Sequence, residues 1–168
     1  YGATDIEISG LTINEHGGHA LGIFNGHRIT LRHLHVKGMV FSQQVQEVRI
    51  EDSVIGGSET TGLHFSDSHA VLVGSCIHDN DHGVNVTGKS SVRLEHNVIT
   101  RSLFEAVVIG DQAAAVLVNN TLVKNGGGAT FLGASRIEAM DQPDHCGLGD
   151  SIRWQTLPMT NGGNVAGK

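Results

Sequence analysis

One stretch of the chain concentrates side chains that move protons. From Thr60 to Ser91 it reads TTGLHFSDSHAVLVGSCIHDNDHGVNVTGKSS, with His64, Asp67, His69, His78, Asp79, Asp81, His82 and Lys89 close together. Taking a proton from carbon beside a carboxylate needs a base titrating near neutrality and a cation to hold the developing charge. Histidine is the side chain suited to the first task. His64 and His82 are therefore the candidate acid/base groups, with Lys89 or Arg93 as the cation. A second constellation is basic: Arg32, Arg49 and Arg93, interleaved with Glu51 and Glu95. Arginine grips a carboxylate through two parallel hydrogen bonds, so these side chains are candidate seats for an acidic ligand. The same charges also read as a solvated face laced by pairs such as Arg32–Glu51. Metal chemistry has weaker support. His16 and His19 sit near Glu15 in a Gly-rich segment, and the Asp79/Asp81 pair offers oxygen ligands for Ca²⁺, but the ligand set of a metal site remains unknown.

These residues are positioned by a repeat. An apolar signature recurs as IEISGLTI from Ile6, ITLRHLHV from Ile29, VRIEDSVI from Val48, VLVGSCIH from Val71, VRLEHNVI from Val92 and VLVNNTLV from Val116, at a mean interval of 22 residues. Such a period marks a solenoid, each copy being one coil stacked on the next. Alternating β-branched residues open every copy, as in half-buried strands. Registered on its first apolar residue, each copy sends positions 0 and +2 inward and +1 and +3 outward. This sets Arg49/Glu51, Leu72/Gly74 and Arg93/Glu95 on one outer face, with Arg49 and Arg93 two coils, or roughly 10 Å, apart. Position +5, with Ser53, Cys76, Asn97 and Thr121, reads as a polar ladder at a bend. A further strand follows in most copies, including GLHF at 62–65 and GVNV at 83–86, and in that register His64 neighbours Asn85 and Thr61 neighbours His82. Asn85 thereby joins the candidate ligand-binding residues.

The bulk composition agrees with this architecture. Aromatics are only 4% of the 168 residues and Gly supplies 23, so a core must be built from Val, Ile and Leu. Both prolines, Pro143 and Pro158, fall after the last repeat, and a seventh coil is expected to begin at Ile137. The division is a β-helix over 1–140 and a C-terminal cap or partly disordered tail over 141–168. Net charge is −6 and Lys and Arg are scattered, which argues against nucleic acid as a partner. No apolar run reaches transmembrane length, so no membrane partner is expected. Cys76 is expected as a buried thiol and Cys146 as a free one.

The repeat over residues 5–135, and coils of the form HDNDHGVNVTGKSSVRLEHNVI, resemble the pectate-lyase-like superfamily of carbohydrate-active proteins. Within it they look nearest to mannuronan C5-epimerases and carbohydrate-binding β-helix repeats. The resemblance implies an all-β fold: a right-handed, single-stranded parallel β-helix of about six to seven coils. It also implies an acidic polysaccharide as partner, a secreted or periplasmic setting, and either no cofactor or Ca²⁺. If the chain is an enzyme, it implies a polysaccharide lyase or uronate epimerase working by proton abstraction at C5. The segment nearest the epimerases' DPHD site motif is HFSD at 64–67, which keeps a His and an Asp but not the motif, and the polygalacturonase set is missing, with DHG at 81–83 only echoing its GHG. The alternative expectation is a non-catalytic binding or assembly module, a homo-oligomer stacking through the ends of its solenoid.

Overall fold

From the third coil onward a repeat folds as three short strands separated by sharp corners, so the coil is triangular. The computed structural model describes residues 2–131 and 136–137. The first face is a seven-stranded parallel sheet of β1 (Thr4–Ser9), β3 (His27–Arg32), β5 (Gln46–Glu51), β8 (His69–Val73), β11 (Ser91–Glu95), β14 (Ala114–Val118) and β17 (Arg136–Ile137). The second face stacks β6 (Val54–Gly56), β9 (Cys76–His78), β12 (Val98–Thr100) and β15 (Thr121–Val123). The third stacks β7 (Thr61–Ser66), β10 (His82–Thr87), β13 (Glu105–Ile109) and β16 (Gly127–Phe131). In the first two coils these faces are joined: β2 (Thr12–Phe24) and β4 (His35–Gln43) each run through the second corner without a break. β4 therefore pairs with both β6 and β7. The pairing of Leu117 with Ile137 places the start of a seventh coil where the sequence puts it.

Left-handed residues make the corners. Between the first and second faces every coil has one: Gly10, His33, Asp52, Gly74, His96 and Asn119, all at positive φ. The corner leading into the next coil repeats the device at Asn25, Gln44, Asp67, Gly88 and Asp111. A single residue in this region turns the chain sharply, at a cost of about 1–3 kcal/mol when a Cβ is present. Stacking recovers part of that cost. The N–H of each first-corner residue from Gly10 to His96 donates to the coil above, as from His33 to Glu51 O and from Asp52 to Val73 O, both at 3.1 Å. At Gly74 the conformation carries no Cβ penalty, and the carboxylate of Asp52 occupies the space, Oδ1 lying 2.5 Å from where a Cβ would sit.

The interior is aliphatic, with Leu31, Ile50, Leu72 and Leu94 stacked behind the first face and Leu63, Val84 and Val107 behind the third, all buried. Buried polar ladders line the inside of the corners. At the first corner Leu34 N–H donates to Ser53 Oγ, Ser53 N–H to Ser75 Oγ, Ser75 N–H to Asn97 Oδ1 and Asn97 N–H to Asn120 Oδ1, at 2.9–3.1 Å. Backbone groups that leave the sheet at a bend thus find partners within the core.

The observed register corrects the sequence reading in two copies. Ala70 and Leu72 pair with Val48 and Ile50 and point inward, as do Ala115 and Leu117 farther along. Val71, Val73, Val116 and Val118 are the outward, half-buried residues. The corner ladder accordingly holds Ser75 and Asn120, not Cys76 and Thr121. An apolar residue on both sides of the alternation left the phase ambiguous, and a one-residue slip exchanges the two faces. Cys76 is disulfide-bonded, which corrects the expectation of a buried free thiol. Cys146 and the expected tail lie outside the described residues, as do the side chains of Glu15 and His16.

Candidate functional site

The candidate residues fall on different faces. Arg32, Arg49, Glu51 and Arg93 are on the first face; His64, His82 and Asn85 are on the third. Lys89 follows β10 just past the corner. Among the described residues the two sets do not share a face.

On the first face the arginines are engaged with carboxylates of their own chain. Arg49 binds Glu51 and Arg93 binds Glu95 along the same strand, two residues apart and so on the same side. Arg32, although opposite Glu51 in the sheet, turns to Glu7 one coil below. The expected Arg32–Glu51 pair is replaced by this arrangement, because Glu51 is already held by Arg49. Between Arg49 and Arg93 stands Val71, not the Leu72 of the sequence register. A shallow depression of about 430 Å³ lies here, lined among others by Arg49, His69, Val71, Arg93 and Val116.

The third face keeps its polar and aromatic groups for one another and for solvent. Gly22, Phe41, His64 and Asn85 form one outward column through four coils. The absent side chain at Gly22 leaves room for Phe24, whose ring folds back across it; a Cβ at Gly22 would lie 2.7 Å from that ring. Phe24 thereby meets Phe41 at 5.6 Å between ring centres. His19 stacks on Phe41 at 4.8 Å with planes 9° apart, and Phe41 presents an edge-to-face contact to His64 at 5.1 Å. His64 Nε2 lies 3.0 Å from Thr87 Oγ1, whose hydroxyl reaches Phe65 O at 3.4 Å. If Thr87 donates to that carbonyl, His64 donates through Nε2 and its lone pair is left on Nδ1. Burial, reinforced by the charge of nearby His19, pushes the His64 pKa below its ordinary value. His64 is thus a neutral imidazole at physiological pH.

His82 belongs to a separate group. It starts β10, three residues before Asn85, or roughly 10 Å along the strand from the His64 column. Its ring stacks on Phe104 at 5.2 Å, and its Nδ1 is 3.1 Å from Glu105 Oε2 without hydrogen-bond alignment. Leu103 and Phe104 beside it are 64% and 50% exposed. Lys89 is exposed; its N–H donates to Asp67 Oδ1 at 2.9 Å, and it lies two residues beyond Thr87. Asn85 Oδ1 has no hydrogen-bond partner among the described residues.

Sequence reasoning missed Phe24 and Phe41. The segment around Phe41 lacks the usual glycine and corner, because β4 is continuous there, and only the Phe41–His64 register exposes the column. Among the described residues no group of three His, Cys, Asp or Glu side chains is arranged to hold a metal. Asp79, offered above as a Ca²⁺ ligand, is gripped by Arg101 through two hydrogen bonds of 2.7 and 2.6 Å. Those bonds, with a lesser one from His78, lower its pKa to about 2.

No curated protein and no solved structure matches the chain. A family model described as right handed beta helix region matches residues 1–140, which spans every described coil. The stacked triangular coils and the parallel sheets are what that description names, and the chain belongs to the right-handed beta helix family.

Proposed function

We propose that this β-helix binds an acidic polysaccharide, with the third face as its platform. The observation that carries the reading is the outward ring cluster of His19, Phe24, Phe41 and His64, continued by Asn85 and Thr87 on the next coil. Sugar rings have apolar C–H faces and polar rims. A surface of half-exposed aromatic rings followed by amide and hydroxyl groups offers a partner to each. Coils repeat every 4.8 Å or so, close to the rise of a pyranose chain, so successive units can meet successive coils. Among the described strand residues of this face Glu105 is the one carboxylate, so little negative charge stands against an acidic chain.

A second reading is proton abstraction at C5 of a uronate, with His64 as base, His82 as a separate acid/base candidate and Lys89 as cation. The neutral state of His64 and its bond to Thr87, two residues from Lys89, favour it. One experiment addresses both readings: proton NMR in D₂O of the protein mixed with alginate, mannuronan, polygalacturonate or a glycosaminoglycan, with and without Ca²⁺. Saturation transfer to a polymer whose spectrum is otherwise unchanged is the expected result for binding. New unsaturated ends, or deuterium at C5, would make the protein an enzyme. Transfer to none of the polymers would overturn the platform.

A further inference from the structure

The second face carries a depression of about 360 Å³ that the repeat pattern does not call for. Its floor is the pair Gly56–Gly57 on the third coil, where neighbouring positions of the stack carry side chains. Side chains from the coils on either side lean onto this pair. From above, the ring of His78 covers Gly56: a Cβ there would lie 2.8 Å from His78 Cε1 and 2.3 Å from His78 O. From below, the stem of Lys37 lies over Gly57, with Cγ 3.4 Å from the position of a Cβ. A lysine and a histidine from coils two steps apart are thus drawn to one spot.

Charge distinguishes this notch from the first face. Arg28, Arg32, Arg49, Arg93 and Arg101 each have a carboxylate partner. Lys37 is exposed and has no ion-pair partner among the described residues. The one carboxylate on the rim, Asp79, is neutralised by the two hydrogen bonds from Arg101 and by His78 Nδ1 at 2.6 Å. An anion entering beside Lys37 therefore meets an uncompensated cation and a carboxylate already spent. Thr12, Asn14 and His35 complete the wall with a hydroxyl, an amide and an imidazole. The volume suits one pyranose unit, at the small end of ordinary ligand pockets.

We propose that the notch formed by Lys37, His78 and the Gly56–Gly57 floor is a subsite for a carboxylate-bearing sugar unit, the carboxylate on Lys37 and the hydroxyls on Thr12 and Asn14. It rests on the polysaccharide reading above, and names a place on a different face where the acidic group is selected. The test is an amide-resolved NMR titration of the full chain with trigalacturonate, its methyl-esterified form and acetate. Trigalacturonate is expected to shift the Gly56, Gly57 and His78 amides, with far smaller shifts from the ester or from acetate. Lys37→Met, which keeps the stem and removes the charge, is expected to weaken those shifts on the order of tenfold, and Lys37→Arg to retain them. Shifts at Phe41 and His64 with none at the glycine pair would overturn the notch and leave the platform standing. Silence on both faces would overturn both. Equal response to acetate, or an unchanged Lys37→Met titration, would overturn the sugar subsite.

Discussion

The first and third faces are built from the same stacked strands and end in opposite chemical states. On the first, each outward arginine among the described residues is matched by a carboxylate of its own strand or the coil beside it, and valines fill positions between. On the third, aromatic rings and histidines cluster. A face whose charges are mutually satisfied offers little to a ligand, because each new contact must first break an internal one. A face of rings has no such internal ion pair to break first. The number of charges on a surface is thus a poor guide to where a charged ligand binds; what matters is which of them are already spent.

The largest effect expected concerns which side of the first face is the core. Leu72→Ala removes a fully buried side chain and is expected to cost about 2–5 kcal/mol in denaturant unfolding. Val71→Ala, on the outer side of the same strand, is expected to cost under about 1 kcal/mol. The reverse order would restore the phase read from sequence and would place Leu72 between Arg49 and Arg93.

Binding separates the two faces next. Phe41→Ala deletes the ring shared by His19, Phe24 and His64, and is expected to weaken retention of a bound polyuronate on the order of tenfold. Arg49→Gln on the first face is expected to leave retention within about twofold. Affinity electrophoresis through gels containing the polymer reads both, and a larger loss for Arg49→Gln than for Phe41→Ala would exchange the roles of the faces.

The third face also has a pH signature. The folded pKa of His64 is lowered, so the unfolded chain binds a proton there more readily than the folded one. His64 is neutral in both states above its ordinary value of 6.5 and contributes no slope there. As pH falls through 6.5 toward the folded pKa, stability declines, and the loss is complete below that value. The imidazole resonances of His64 should titrate with a midpoint below 6.5, and His64→Phe should flatten the acid side of the stability curve. A midpoint at or above 6.5 would remove the neutral base from the platform.

How much of this was legible in sequence depends on what carries each feature. The coil count and the β-helix follow from a period that every copy repeats, because each coil must bury the same positions on its neighbour. The pairings of His64 with Asn85 and of Thr61 with His82 were legible for the same reason. Phase was not legible where VLVGS and VLVNN present apolar residues on both sides, and there only the packing of Ala70 and Ala115 decides. Corners were legible only as glycines, since residues such as His33, Gln44 and Lys124 adopt positive φ because the stack above and below requires it. The candidate site was least legible. Whether Arg49 binds a ligand or its own Glu51, and whether Lys37 and His78 reach the same glycines, depends on side-chain direction, which no spacing encodes.

The smallest effect is the one that tests the mutual satisfaction of the first face directly. Arg49 and Glu51 form their pair at a surface where the arginine is 50% exposed, so water and salt screen it. A double-mutant cycle of Arg49→Gln and Glu51→Gln is expected to give a coupling of about 0–1 kcal/mol that fades at high salt. Its use lies in what accompanies it. With Glu51 replaced alone, Arg49 loses its internal carboxylate and becomes available to an external one. Glu51→Gln should then make polyuronate retention on the first face measurable where the parent shows none, and Arg49→Gln in the same background should abolish it. If freeing Arg49 changes nothing, then internal pairing is not what silences this face, and the contrast between the faces rests on their shape and ring content alone.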